Sequence, residues 1–259
     1  MIDEWMNRIV WSWLLVFLRS SGFVLMIPVL SVRQVPIFVR VALSAIFAYL
    51  ISVISPVALP LPTGWIDVFF LLSGEVLTGL LLGFFIRLIF YGFEMAGQII
   101  TMEAGLGMSN LFNPFEGQSS PIFSSLMFYF SVVIFLVLDL HHEVIAGFFK
   151  SYEVIGPGAT VMSEALAGEI VQRSVKLFWI ALEMAAPIIC VSFMVTLMFS
   201  VFGRAVPQMN VFVLSFPIRV LGSVIVFGLS TNLFFGYINQ YFSYLPGDIA
   251  GLLRLMSGA

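Results

Sequence analysis

Residues 68–91 read VFFLLSGEVLTGLLLGFFIRLIFY, an apolar run interrupted by Ser73, Glu75, Thr78, Arg87 and three glycines. It is close to the roughly 20 residues that carry a helix across a bilayer. No proline occurs between positions 68 and 104, so no residue in the chain itself forces the helix to stop at Tyr91. At about 1.5 Å per residue, a helix over 68–104 outruns a hydrocarbon core of about 30 Å, and part of it must project beyond lipid. Gly74, Gly79 and Gly83 recur at helical spacing, and Gly79-x-x-x-Gly83 is the small-residue pattern that lets helix backbones approach closely. Gly92-x-x-x-Ala96 continues it. Two readings of these glycines stand: packing inside one bundle, or packing against other subunits.

Outward from this run lie similar ones at 9–30, 35–55, 122–138, 175–201 and 211–236. Turn signals separate them: 31–36, the Pro56, Pro60, Pro62 and Gly64 cluster, 105–121, Gly156-Pro157-Gly158, and 203–207. Trp5, Trp11, Trp13, Trp65, Tyr241 and Tyr244 are placed as interfacial anchors. The whole chain is 61% hydrophobic and 10% charged, with a mean hydropathy of +1.09. So few charges cannot cover a water-soluble surface, and the expected fold is an all-α membrane protein, one contiguous bundle of long apolar helices and helical hairpins. Asp3 and Glu4 stand where a cleavable signal needs basic residues, so Met1 onward is expected to belong to the mature protein.

The 11 basic and 14 acidic residues are scattered, which argues against a nucleic-acid ligand. Cys190 is the only cysteine, so no internal disulfide can form. Alternating the six runs puts Arg33, Arg40, Arg87 and Arg204 on one side and Arg8, Lys150, Arg173, Lys176 and Arg254 on the other. With Arg19 and Arg219 inside runs, that balance assigns no orientation by the positive-inside rule. Arg19, Arg40, Glu75, Arg87, Glu183 and Arg219 sit in or beside apolar runs, where an ionised group in hydrocarbon costs several kcal/mol and must find a partner or water.

Candidate chemistry is sparse. His141 and His142 are the only histidines, flanked by Asp139 and Glu143. Adjacent helical residues point about 100° apart, so no shared metal ion is expected, and H-E-x-x-H fails because the second histidine would fall at Ala146. Ser109 in Gly107-Met108-Ser109-Asn110 lacks the setting of a serine nucleophile, and no phosphate-binding glycine loop is present. No catalytic residue, metal or cofactor is expected. The segment from Ala104 to Pro121 is more informative. Gly105, Gly107, Pro114 and Gly117 break helical structure while Leu106, Met108, Leu111, Phe112 and Phe115 keep it apolar. Irregular backbone at membrane depth must be buried in protein or line a cavity, so this segment is either a plug that closes a pore or a re-entrant loop that only packs. A second cluster, Gly203-Arg204-Ala205-Val206-Pro207-Gln208-Met209-Asn210, reads as a tight polar hairpin tip. There Arg204, Gln208 and Asn210 serve helix ends left open by the break at Pro207.

The order and spacing of several motifs resemble the FliR family of flagellar type III export-gate proteins and its virulence-system counterparts, across the whole chain. The motifs are Arg19-x-x-Gly22 with Pro28, Pro36-x-x-x-Arg40, Gly74-Glu75-x-x-x-Gly79-x-x-x-Gly83, Ala96-Gly97-Gln98, Pro114, Asp139-x-His141-His142, Ala186-Pro187, Arg204-x-x-Pro207-Gln208-x-Asn210-x-Phe212 and Phe216-Pro217. Leu140 departs from the pattern, which has glycine before the histidine pair, and Phe199 and Ser200 replace a more polar approach to Gly203. The resemblance implies a FliP-like part over about 1–174, with a plug at 105–117, fused to a FliQ-like hairpin and tail over about 175–259. It implies a noncatalytic subunit of the gate in the bacterial inner membrane at the flagellar basal body. There it would join FliP-like and FliQ-like subunits, an FlhB-like protein at the entrance and an FlhA-like export ring, and pass unfolded protein substrates. Phe112 and Phe115 would block the closed pore, with Gly105 and Gly107 as flexible anchors. Arg204, Gln208 and Asn210 would lie near the entrance. A stand-alone small-molecule transporter is the competing reading, motivated by Glu75, Glu183 and the embedded arginines.

Overall fold

The computed structural model describes residues 2–30, 35–54, 64–106, 122–206 and 211–258. Among these the chain is helical throughout and carries no strand: α1 (Ile2–Met26), α2 (Ile37–Ile54), α3 (Trp65–Glu103), α4 (Ile122–Val137), α5 (Leu140–Val154), α6 (Glu164–Ala205), α7 (Val211–Leu229), α8 (Thr231–Ser243) and α9 (Leu245–Ser257). It is an all-α membrane protein.

Local chemistry explains most of the boundaries. Pro28 lies in the turn that follows α1, and Pro36 immediately precedes α2, where a missing N–H and a fixed φ suit a helix start. The proline-free stretch after Gly64 forms α3 without interruption for 39 residues, about 58 Å of helix. It ends where Gly105 takes φ +81, the left-handed conformation that commonly closes a helix. The Ser163 hydroxyl accepts the Leu166 N–H at 3.1 Å and caps α6. Pro187 and Pro217 lie inside α6 and α7.

The run at 211–236 is not one helix. Ser230 interrupts it, and the Thr231 hydroxyl donates to the Gly228 carbonyl at 2.9 Å, a local bond that competes with the helical ladder. The first two runs are bounded by prolines: α1 stops at Met26 before the turn at Pro28, and α2 starts at Ile37 directly after Pro36. Among the described residues, α3 and α6 are long and apolar enough to cross a membrane, and the number found there rises to four if α4 with α5, and α7 with α8 and α9, each make one bent span.

The chain divides into two compact units. The first contains Met1–Leu88, Asp139–Arg173 and Tyr244–Ala259. Its centre is the crossing of α1 over α3. A Cβ at Gly22 would lie 2.8 Å from the Val76 carbonyl oxygen, and one at Gly83 2.5 Å from the Met26 Cβ. The Gly79 and Gly83 pair is thus occupied by α1 of the same chain. Phe23 stacks on Phe148 of α5 at 4.2 Å between ring centroids. Arg173, at the start of α6, donates to Glu169 and to Asp248 of α9 at 2.7 Å each.

The second unit contains Ile89–Leu138 and Ser174–Ser243. Phe90 and Phe93 of α3 meet Phe242 of α8, and Phe90 also meets Phe135 of α4, with centroids 5.3 to 5.4 Å apart. Gly97 packs its backbone on Phe123 and Ser124 of α4, and the Ser124 hydroxyl donates to the Glu94 carbonyl at 3.1 Å. Gly92 sits against Ile180 of α6.

Candidate functional site

Two polar assemblies inside these apolar helices gather Arg19, Gly74, Glu75, Gly105 and Arg219 of the described sequence candidates. In the first unit Arg19 of α1 is 0% exposed and pairs bidentately with Glu75 of α3, Nε to Oε2 at 2.7 Å and Nη2 to Oε1 at 2.9 Å. Its remaining hydrogens reach the Ser151 carbonyl at 3.1 Å, the Ser151 hydroxyl at 3.3 Å and the Ile155 carbonyl at 3.3 Å. The guanidinium carbon lies 4.2 Å from the Tyr152 ring centroid. Every donor of the guanidinium therefore has an acceptor, the condition under which a buried ion pair is tolerated. Glu75 Oε1 also accepts the Gly158 N–H at 2.9 Å. Gly158 has φ +68 and seats its Cα on Gly74, where a Cβ would stand 3.2 Å away. Thr78 bonds Thr160 through their hydroxyls. The result is a brace: α1, α3, α5 and the 155–160 turn are tied at one buried charge pair.

The second assembly lies in the second unit, where α3 ends. The Ser192 hydroxyl of α6 donates to Glu103 Oε2 at 2.6 Å, Thr196 Oγ1 donates to the Ser192 carbonyl at 2.7 Å, and Arg219 Nη2 of α7 donates to Thr196 Oγ1 at 2.9 Å. Phe216 packs its ring over Gly105, 3.2 Å from where a Cβ would sit. One turn beyond Arg219, Ser223 is 0% exposed and its hydroxyl has no hydrogen-bond partner, and Arg219 Nε is likewise buried without one. Orphaned groups of this kind cost about 1–3 kcal/mol each. The strip contains no histidine or cysteine; it can hold the end of α3 in place, and nothing in it suits nucleophilic catalysis. Ser192 and Thr196 were missed by sequence reasoning, although two hydroxyls at i and i+4 inside an apolar run are a readable sign of a polar helix face.

The other candidates are dispersed. Glu183 accepts the Tyr241 hydroxyl at 2.5 Å. Arg40 donates to the Val35 carbonyl at 3.2 Å, Arg87 is half-buried on α3, and Arg204 is exposed in the last turn of α6. Leu106 is half-buried beyond Gly105. Gly107, Met108, Leu111, Phe112, Pro114, Phe115 and Gly117 of the expected plug lie outside the described residues, as do Pro207, Gln208 and Asn210 of the hairpin tip.

The histidine pair opens α5. Asp139, just before α5, adopts φ 55, and within the first turn of α5 the His141 and His142 rings lie 4.0 Å apart.

A family profile described as bacterial export proteins, family 1, matches residues 10–245. The chain belongs to this family. Its similarity to FliR is spread over the full length: it is 29% identical to the flagellar biosynthetic protein FliR of Bacillus subtilis over 252 residues, 95% of each chain. It is 26% identical to FliR of Caulobacter vibrioides over 84% of this chain and 87% of that one. With FliR of Escherichia coli it shares 22% identity over 96% and 94%. The FliR-type motifs at Arg19, Glu75, Gly79 and Gly83 all fall within the matched region, and they are the residues that build the brace and the α1–α3 crossing.

Proposed function

We propose that this chain is a noncatalytic core subunit of a flagellar type III protein export gate, seated in the bacterial inner membrane at the basal body. It would assemble with FliP-like and FliQ-like subunits, with an FlhB-like protein at the entrance and an FlhA-like ring below, to pass unfolded protein substrates. The observation that carries this reading is membership of the export family over residues 10–245. The surface supports it. Only 22% of the most apolar stretch of α6 is buried within the chain, and Trp179, Phe193, Met194 and Met198 of that helix are exposed. Such a surface needs lipid or neighbouring subunits as its solvent.

The charges that motivate a stand-alone transporter are engaged internally: Glu75 by Arg19 and Gly158, and Glu183 by Tyr241. In this reading residues 1–174 form the FliP-like part and 175–259 the FliQ-like part. The segment at 105–117 is the plug, rooted at Gly105 by Phe216, and Arg204, Pro207, Gln208 and Asn210 form the tip near the entrance.

Co-expression with FliP-like and FliQ-like partners and purification through this chain tests the class. The expected product is a stable mixed complex. A monodisperse chain that transports a solute alone in vesicles overturns it. Within the assembled complex, Phe112→Ala with Phe115→Ala is expected to raise ion leak of the closed gate well above wild type. Unchanged permeability removes the plug assignment.

A further inference from the structure

The turn that begins α5 carries a feature that neither the brace nor the export reading uses. Asp139 is the only non-glycine residue with positive φ among the described residues, at φ 55 and ψ 20. Left-handed backbone is unfavourable for a typical L-residue, and aspartate tolerates it better than most. Asp139 is also the N-cap of α5, a position where an aspartate carboxylate ordinarily accepts a helix N–H; here its side chain makes no capping bond. The carboxylate faces the histidine that follows: Asp139 Oδ1 lies 3.7 Å from His142 Nδ1. His141 and His142 hold their rings 4.0 Å apart, and His141 Nδ1 is buried with no hydrogen-bond partner. One donor atom from each of the three side chains lies within 4.8 Å of the other two.

The geometry points to a site for one divalent transition-metal ion, zinc fitting best, held by Asp139, His141 and His142. Two imidazoles and a carboxylate are a donor set that zinc accepts, with bonds of about 2.0–2.2 Å and solvent in the remaining tetrahedral position. Such bonds place neighbouring ligand atoms about 3.3–3.4 Å apart. The Asp139 to His142 separation is already near that, and the rest closes by side-chain rotation. Asp139 and His142 are free to make it, since their side chains are 74% and 71% exposed. Asp139 stands in the left-handed turn just before α5, three residues ahead of His142, and its carboxylate faces that histidine across the first turn of the helix. A bound ion would tie the turn to the first turn of α5 and fix the start of that helix.

The test uses the full chain purified in detergent without a histidine tag and stripped by chelator. Cobalt is titrated while visible absorption reports tetrahedral coordination, and zinc is then added as competitor and measured by calorimetry. The expected result is one cobalt per chain, displaced by zinc. His142→Gln and Asp139→Asn are expected to weaken zinc binding about tenfold or more, and His141→Gln with His142→Gln to remove it. The two single changes fall on exposed side chains, and asparagine keeps the tolerance for left-handed backbone. Circular dichroism and elution volume should therefore match wild type even if the double variant folds poorly. Absence of saturable binding up to about 100 µM metal overturns the site, as does equal zinc affinity in wild type and the single variants.

Discussion

Arg19→Ala is expected to destabilise the first unit by about 3–5 kcal/mol, because it strands the Glu75 carboxylate in a buried setting with only the Gly158 N–H to answer it. Glu75→Ala should cost a similar amount, leaving a fully buried guanidinium with neutral acceptors only. Both losses are expected as a lower melting temperature in detergent and as a several-fold fall in the amount of chain recovered from membranes. The combination Arg19→Met with Glu75→Leu separates the charge problem from the packing problem. Apolar residues of similar volume remove the uncompensated charge, so the double variant should recover part of the loss. Recovery stays partial, since the Ser151 and Ile155 carbonyls and the Gly158 N–H lose their partners. A strictly additive double variant, or an Arg19→Ala chain as stable as wild type, would show that the pair does not brace the fold.

Gly79→Ala should be as damaging by a different route. A Cβ there would overlap the Arg19 carbonyl oxygen and stand 2.9 Å from its carbonyl carbon and 3.0 Å from the Phe23 nitrogen. All three are backbone atoms of α1, and a rotamer change cannot relieve the overlap. The helices must separate, loosening the packing along the crossing and displacing Arg19 from Glu75. The expected cost is at or above the upper end of the usual 1–3 kcal/mol for overpacking. Gly168→Ala is the matched control. It lies in α6 with nothing within 4 Å of its added methyl, so it should stabilise by about 0.5–1 kcal/mol through helix propensity alone. Equal behaviour of the two variants in thermal melts and membrane abundance would overturn the close-crossing account.

The two variants also explain why the sequence was readable in one respect and opaque in another. The absence of proline from 68 to 104 and the apolar composition sufficed for α3, since both act locally on backbone and solvent. The helical class and the membrane setting were legible for the same reason. Partner choice was not. Glycines at 79 and 83 announce a close approach without naming the helix that makes it, and α1 takes that place. Arg19 and Glu75 are separated by 56 residues, and Ser151 lies 132 residues from Arg19, so no periodicity connects them. The turn before α5 was opaque as well: nothing in the residue types at 138–140 announces that Asp139 takes a left-handed backbone there.

Apolar composition, glycine spacing and proline placement, read directly from the chain, decided that this protein is a set of long membrane helices and where most of them begin and end. These properties act on each segment through its own backbone and its contact with solvent. Only the tertiary structure decided which charge answers which and that α1 fills the glycine groove of α3. Those outcomes depend on atoms brought together from distant positions, and their geometry exists only once the helices have packed.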